Sequence, residues 1–182
     1  MGVDSLSRPA VFLDRDGVIN RAIVRAGRPY PPDSVASVEV LPGVPAALAL
    51  LKAAGFALIV VTNQPDVARG RQRREEVEAI HARLALELPI DEFRVCYHDD
   101  PDDCPCRKPR PGLLLQEPVY DLARSVMVGD RWRDVEAGQR AGVAATILID
   151  YQYDEADAAP DLRVRSLAEA VPWILQRLEA RR

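Results

Sequence analysis

The sequence predicts an α/β chain built on a doubly wound parallel sheet with helices on both faces. Two observations predict it. Short apolar runs alternate with helical patterns from end to end, the rhythm of strands joined by crossover helices. Those runs are continuously apolar rather than alternating, as expected when both faces of a sheet are covered. The 182 residues are 48% apolar and 29% charged, which supplies a core and excludes a disordered chain. Aromatics make up only 5%, so Val, Leu, Ile and Ala must build the interior. We read residues 1–182 as one domain.

The elements follow in order. Residues 10–13 are an apolar run that stops at Asp14. Pro42-Gly43 opens a helix over 44–54, with Val44, Leu48 and Leu51 on one side, and Gly55 stands where helices end. Residues 56–61 form a buried strand leading into Thr62-Asn63-Gln64. Residues 73–87 read as a helix with Val77, Ile80, Leu84 and Leu88 on one stripe. A strand over 93–97 precedes a cysteine loop, and a short helix over 112–115 is limited by Pro118. Strands over 125–128 and 145–149 flank a helix over 133–141, and an amphipathic helix over 167–178 closes the chain. Residues 21–37 read as a long irregular connection, of a length that is usually functional or mobile. Residues 151–161 read as an acidic surface loop. The whole resembles a Rossmann-like layout.

Charge and patterning exclude several functions. A net charge of −4 opposes a broad electrostatic grip on nucleic acid or anionic lipid. The longest apolar run, over 56–61, is too short to cross a bilayer. The opening MGVDSLSRPA lacks a basic segment followed by an apolar one, so no secretory signal is expected. All three cysteines fall between positions 96 and 106, which suits a reducing cytoplasm and a metal site better than a disulfide scaffold. No broad apolar stripe is evident, and a monomer is expected.

Ligand sites in open α/β sheets lie beyond the carboxyl ends of the strands. Asp14 and Asp16, Thr62-Asn63, and Asp130 all fall at such ends. Asp14 and Asp16 can aim into one cavity, with Gly17 letting the backbone turn. Converging carboxylates call for a cation, and a hard divalent ion such as Mg²⁺ fits oxygen ligands. Taken singly, each Asp could equally cap a loop or a helix. Cys96, His98, Cys104 and Cys106 place three thiols and an imidazole within eleven residues, a donor set suited to tetrahedral, structural Zn²⁺. The alternative is free thiols beside an ordinary surface histidine. His81 reads as a helix-face residue with no ligand role.

VFLDRDGVIN, VVTNQ, CRKPRPG and MVGDRWRDVEAG resemble the four ordered motifs of the haloacid dehalogenase superfamily. Within it, the DRDG start and the Cys/His loop before RKP resemble the D-glycero-D-manno-heptose 1,7-bisphosphate 7-phosphatases. Histidinol-phosphate phosphatases share the general layout. The resemblance implies a phosphatase in which Asp14 is the nucleophile, forming an aspartyl-phosphate, and Asp16 the general acid and base. It implies that Thr62 binds the phosphoryl oxygens and Lys108 neutralises them. Mg²⁺ would sit on Asp14, the Asp16 carbonyl and Asp130. Asp134 would support the metal site or serve as a plain helix N-terminal Asp. Substrate contacts are implied from Arg15, Asn20, Asn63, Gln64, Arg69, Arg107 and Arg131. The run Arg69, Arg71, Arg73 and Arg74 reads as a solvated helix start, or as a source of one arginine, Arg69, for a distal phosphate.

Two recognition loops depart from the heptose pattern. A His-Gly-Tyr pattern after Asn20 is replaced by RAIVRAGRPY, and a Ser-Gly pair after Gln64 by Pro65-Asp66. No stretch is long enough for a separate cap domain between 20 and 60 or between 62 and 108. The expected substrate is a small phosphorylated sugar. The rivals are histidinol phosphate or another small ester, a nucleic-acid end, and a non-catalytic zinc-stabilised binding module. A nucleic-acid end is disfavoured by charge and by the lack of aromatic platforms.

Overall fold

The computed structural model describes residues 8–179. Residues 1–7, which carry most of the opening stretch read above for a secretory signal, lie outside the described residues, as do 180–182 at the end of the single domain expected.

The chain runs through β1 (Ala10–Leu13), β2 (Ile23–Arg25), β3 (Arg28–Tyr30), α1 (Val44–Ala53), β4 (Ala57–Asn63), α2 (Arg74–Glu87) and β5 (Glu92–Cys96). It continues through α3 (Gly112–Leu115), β6 (Val126–Gly129), α4 (Trp132–Ala141), β7 (Ala145–Ile149), β8 (Leu162–Val164) and α5 (Leu167–Glu179). Six strands form one parallel sheet in the order β5-β4-β1-β6-β7-β8. Strand order reverses at β1, which has β4 on one side and β6 on the other. That reversal opens a crevice at the carboxyl ends of the three strands. Leu13 pairs with both Val60 and Val128, so Asp14, Thr62-Asn63 and Asp130 emerge along one edge.

The apolar runs are continuous because successive side chains enter two different cores. Val11, Leu13, Leu58 and Val60 pack with α1, α2 and α5 through Leu48, Leu51, Ile80, Leu84, Val171 and Ile174. Ala10, Phe12, Ala57, Ile59 and Val61 pack on the opposite face with Leu113, Leu114 and Ala137 of α3 and α4. The α/β sheet with both faces covered is therefore as the sequence predicts.

Three expectations change. Residues 21–37 are not irregular throughout. They carry the antiparallel hairpin β2–β3, with Arg25 opposite Arg28. Its two-residue turn places Ala26 at φ 49° and Gly27 at φ 72°, the positive φ pair that such a turn requires. Alanine rarely enters that region, so the usual Asn-Gly or Asp-Gly signal is absent. Secondly, β8 is a short edge strand next to β7, and its three residues give no apolar run to read. Thirdly, the 151–161 loop is tied inward: the Tyr151 hydroxyl donates to the Gly17 carbonyl at 2.9 Å.

Candidate active site

Asp14 is the first residue past β1, and its N–H donates to the Val128 carbonyl at 2.9 Å, so the sheet ladder fixes its backbone. Its carboxylate is buried and accepts from Lys108 Nζ at 2.8 Å. Lys108 also donates to the Val61 carbonyl at 2.8 Å and to Asp134 Oδ1 at 2.5 Å. Its chain segment is pinned by a reciprocal pair: Asn63 Nδ2 donates to the Lys108 carbonyl at 3.0 Å, and the Lys108 N–H donates to Asn63 Oδ1 at 3.1 Å. Burial opposes the ammonium charge, but Asp134 and Asp14 outweigh it and hold the Lys108 pKa above its ordinary value.

Asp14, Asp130 and Asp134 bring carboxylate oxygens within 4.8 Å of one another. Burial raises the Asp14 pKa to about 6 against the pull of Lys108, with Asp134 and Asp16 adding to the rise. Burial, then the charges of Asp14 and Asp134, raise Asp130 well above the carboxylate range. Both Asp130 oxygens are buried and lack a hydrogen-bond partner. The Tyr153 hydroxyl lies close enough to favour the Asp130 carboxylate, but not at hydrogen-bonding geometry. Gly17, at φ +87°, leaves room for this group: a Cβ there would meet Asp130 Oδ2 at 2.2 Å. Orphaned, crowded carboxylate oxygens are the donor set that a hard divalent cation needs, so the residues fit Mg²⁺.

The Asp16 carboxylate stands outside that acidic cluster. Its Oδ1 accepts from Arg15 Nε at 3.1 Å and Asn20 Nδ2 at 2.9 Å. Its Oδ2 accepts from an Arg15 terminal nitrogen and from Gln64 Nε2, both at 3.0 Å. Arg15, Asn20 and Gln64 were expected to contact substrate. All three are buried, and none lines the main cavity. Their donors are turned to Asp16, because a carboxylate at the end of a buried strand needs partners more than the solvent-facing cavity does. Thr62 is likewise buried behind the cavity wall, its Oγ1 accepting from Gln64 at 2.8 Å.

The cavity holds about 320 Å³. Asp14, Asp16, Asn63, Lys108, Asp130 and Asp134 form its floor, and five arginines stand among its lining residues. Arg69 pairs with Asp99 at 2.6 Å, Arg107 with Asp100 at 2.7 Å, Arg131 with Glu155 at 2.7 Å and Arg133 with Asp100 at 3.3 Å. The fifth, Arg28 at the start of β3, has no carboxylate partner among the described residues. Arg28 and Arg133 escaped the sequence reading. Arg133 lies inside a quoted motif and was legible there; Arg28 becomes visible only once the hairpin is seen to fold over the site.

Cys96, His98, Cys104 and Cys106 gather their donor atoms within 4.8 Å. Sulfur–sulfur separations run from 3.1 to 3.6 Å, and His98 Nδ1 lies 3.4 Å from Cys106 Sγ. No disulfide joins the cysteines. Three thiols and one imidazole converging on a point fit a closed zinc site.

A switch-point cavity with a buried carboxylate, a buried lysine and orphaned acidic oxygens defines a hydrolase suited to anionic esters. The profile of the haloacid dehalogenase-like hydrolases matches residues 22–142. The D-glycero-alpha-D-manno-heptose-1,7-bisphosphate 7-phosphatase of Mycobacterium tuberculosis is 39% identical, over 74% of this chain and 74% of its own. The D-glycero-beta-D-manno-heptose-1,7-bisphosphate 7-phosphatase of Escherichia coli K12 is 36% identical, over 90% of this chain and 92% of its own. A crystal structure of D,D-heptose 1,7-bisphosphate phosphatase from B. bronchiseptica, complexed with magnesium and phosphate, superposes with a TM-score of 0.74. It is 29% identical, covering 93% of this chain and 99% of that one. The chain belongs to the haloacid dehalogenase-like hydrolases, and with these relatives it is a phosphomonoester hydrolase, as its motifs led us to expect.

Proposed function

We propose that the chain is a Mg²⁺-dependent phosphatase that removes the 7-phosphate of D-glycero-D-manno-heptose 1,7-bisphosphate through an aspartyl-phosphate on Asp14. The observation that carries this reading is the buried Asp14–Lys108–Asp134 contact at 2.8 and 2.5 Å beside the unpartnered Asp130. The likeness to heptose bisphosphate phosphatases supplies the substrate.

An Asp14 oxygen attacks phosphorus as the P–O bond to the sugar breaks. Asp16 enters this step protonated, one of its oxygens having exchanged an N–H donor for the proton. It gives that proton to the departing sugar oxygen, and this leaves the carboxylate held by Arg15, Asn20 and Gln64. The Asp16 carboxylate then takes a proton from water, which attacks phosphorus and releases Asp14 and inorganic phosphate. Lys108 holds Asp14 in place and offers positive charge to the phosphoryl oxygens. Thr62, expected to bind those oxygens, is instead turned to Gln64 behind the cavity wall and steadies the Gln64 amide that donates to Asp16. Mg²⁺ held by Asp14, Asp130 and the Asp16 carbonyl would, when bound, add charge against the transferring group. Asn63 sets the position of Lys108. Zn²⁺ on the Cys/His cluster would fix the loop that carries Arg107 and Lys108.

Arg28, with Arg69, Arg107 and Arg131 at the rim, would hold the second phosphate. A bisphosphate uses the uncompensated Arg28 charge, and histidinol phosphate has no group for it. Among the described residues no helix is long and apolar enough to cross a membrane. With the thiols unpaired, we assign a cytoplasmic monomer acting on a small sugar phosphate rather than on nucleic acid.

The test is phosphate release from heptose 1,7-bisphosphates of both anomers, histidinol phosphate, fructose bisphosphate and oligonucleotide ends. The heptose bisphosphates should give the highest kcat/KM, with Mg²⁺ required. Asp14→Asn should remain folded and lose turnover by about a thousandfold or more. Substantial turnover by that variant would remove the mechanism, and a preference for a monophosphate would remove the substrate.

A further inference from the structure

Arg15 is fully buried one residue from the nucleophile, and three of its side-chain nitrogens are engaged. Two of them clamp both oxygens of Asp16. The third lies 2.9 Å from Nε2 of His81, which projects from the buried face of α2. The His81 ring stacks on Phe93 of β5 at 4.7 Å and 20°. A guanidinium donates and never accepts, so Nε2 must be the acceptor and the ring proton belongs on Nδ1. The ring is buried and neutral. A carboxylate in its place would compete with Asp16 for the guanidinium, whereas a neutral imidazole takes one nitrogen and leaves the other two aligned on the two oxygens of Asp16.

We infer that His81 is a positioning residue for the general acid: it fixes Arg15, and Arg15 fixes Asp16. This inference rests on the role proposed above for Asp16. It explains why a helix-face histidine 66 residues from Arg15 in sequence is turned into the core beneath the site.

General-acid help matters most when the leaving oxygen is a poor leaving group, as in an alkyl phosphate, and little when it is an aryl oxide. The measurement is kcat/KM, which stops at the first irreversible step and so excludes later hydrolysis of the phosphoenzyme. His81→Phe keeps an apolar ring on Phe93 but removes the acceptor; His81→Gln restores an acceptor. We expect His81→Phe to lose about tenfold to a hundredfold on an alkyl phosphate and to stay within about threefold on an aryl phosphate. His81→Gln should recover most of the loss. Arg15→Lys, which keeps the charge but cannot span Asp16 and His81, should show the same bias and serves if the Phe variant does not fold. Equal losses on both esters, or no recovery with Gln, would overturn the inference. Asp16→Asn separates the two levels. If it shows the leaving-group bias and His81→Phe does not, only the positioning role fails; if Asp16→Asn lacks the bias, the role of Asp16 fails with it.

Discussion

Asp130 has two buried oxygens without a hydrogen-bond partner, a costly arrangement in a protein without a cation. The neighbouring Asp14 shows the sign of the effect. Its folded pKa, about 6, lies above its ordinary value of 3.8. A raised carboxylate binds more protons folded than unfolded, so metal-free stability falls as pH rises through that interval. Mg²⁺ should therefore raise Tm more at pH 7.5 than at pH 5. Asp130→Asn should raise the metal-free Tm, abolish the Mg²⁺ response and abolish phosphate release. Thermal melts with and without Mg²⁺ check this; a Mg²⁺ response that persists in Asp130→Asn would contradict it. The acidic partners Asp14 and Asp130 were legible because strand-end carboxylates need a reason to converge. The direction of Arg15 was not, since a basic residue between two site carboxylates reads equally well as a ligand for substrate.

At the level of elements, two loops decide how the floor is used. The Cys/His cluster ends one residue before Arg107. Cys106→Ser should lower bound zinc from about one per chain to near none, and should lower Tm, because a closed site contributes directly to folding. Metal analysis beside the melt checks both, and wild-type protein that is active without zinc would refute the site. The donor spacing made this loop readable without a structure. The hairpin β2–β3 was not readable, since its turn is built from Ala26-Gly27 and its three-residue strands are too short for periodicity. Its role is testable through Arg28. Arg28→Gln should reduce kcat/KM for a bisphosphate by about tenfold and leave monophosphate hydrolysis within about twofold. A uniform loss on both would assign Arg28 to folding instead.

At the scale of the whole molecule, the sheet holds the site by placing three strand ends on one edge. Phe12 points into the core opposite the one filled by Val11 and Leu13, where it packs in one cluster with Leu113 and Leu114 of α3. Phe12→Ala should cost about 3–5 kcal/mol, read as a lower urea midpoint, and should reduce activity only in proportion to the folded fraction.

By itself, the sequence determined the apolar strands of the central sheet, and it singled out Asp14, Asp16, Lys108, Asp130 and the clustered Cys/His side chains as candidates. Each is encoded locally, by an unbroken apolar run, a motif or a short spacing. Only the tertiary structure decided that Arg15, Asn20 and Gln64 serve Asp16, that His81 lies behind them, that Tyr151 and Glu155 reach back to the site, and that Arg28 lines the cavity with no carboxylate partner among the described residues. The physical reason is that a polar side chain next to a reactive group has many possible partners, and its choice is set by which distant elements the core packing brings within about 3 Å of it.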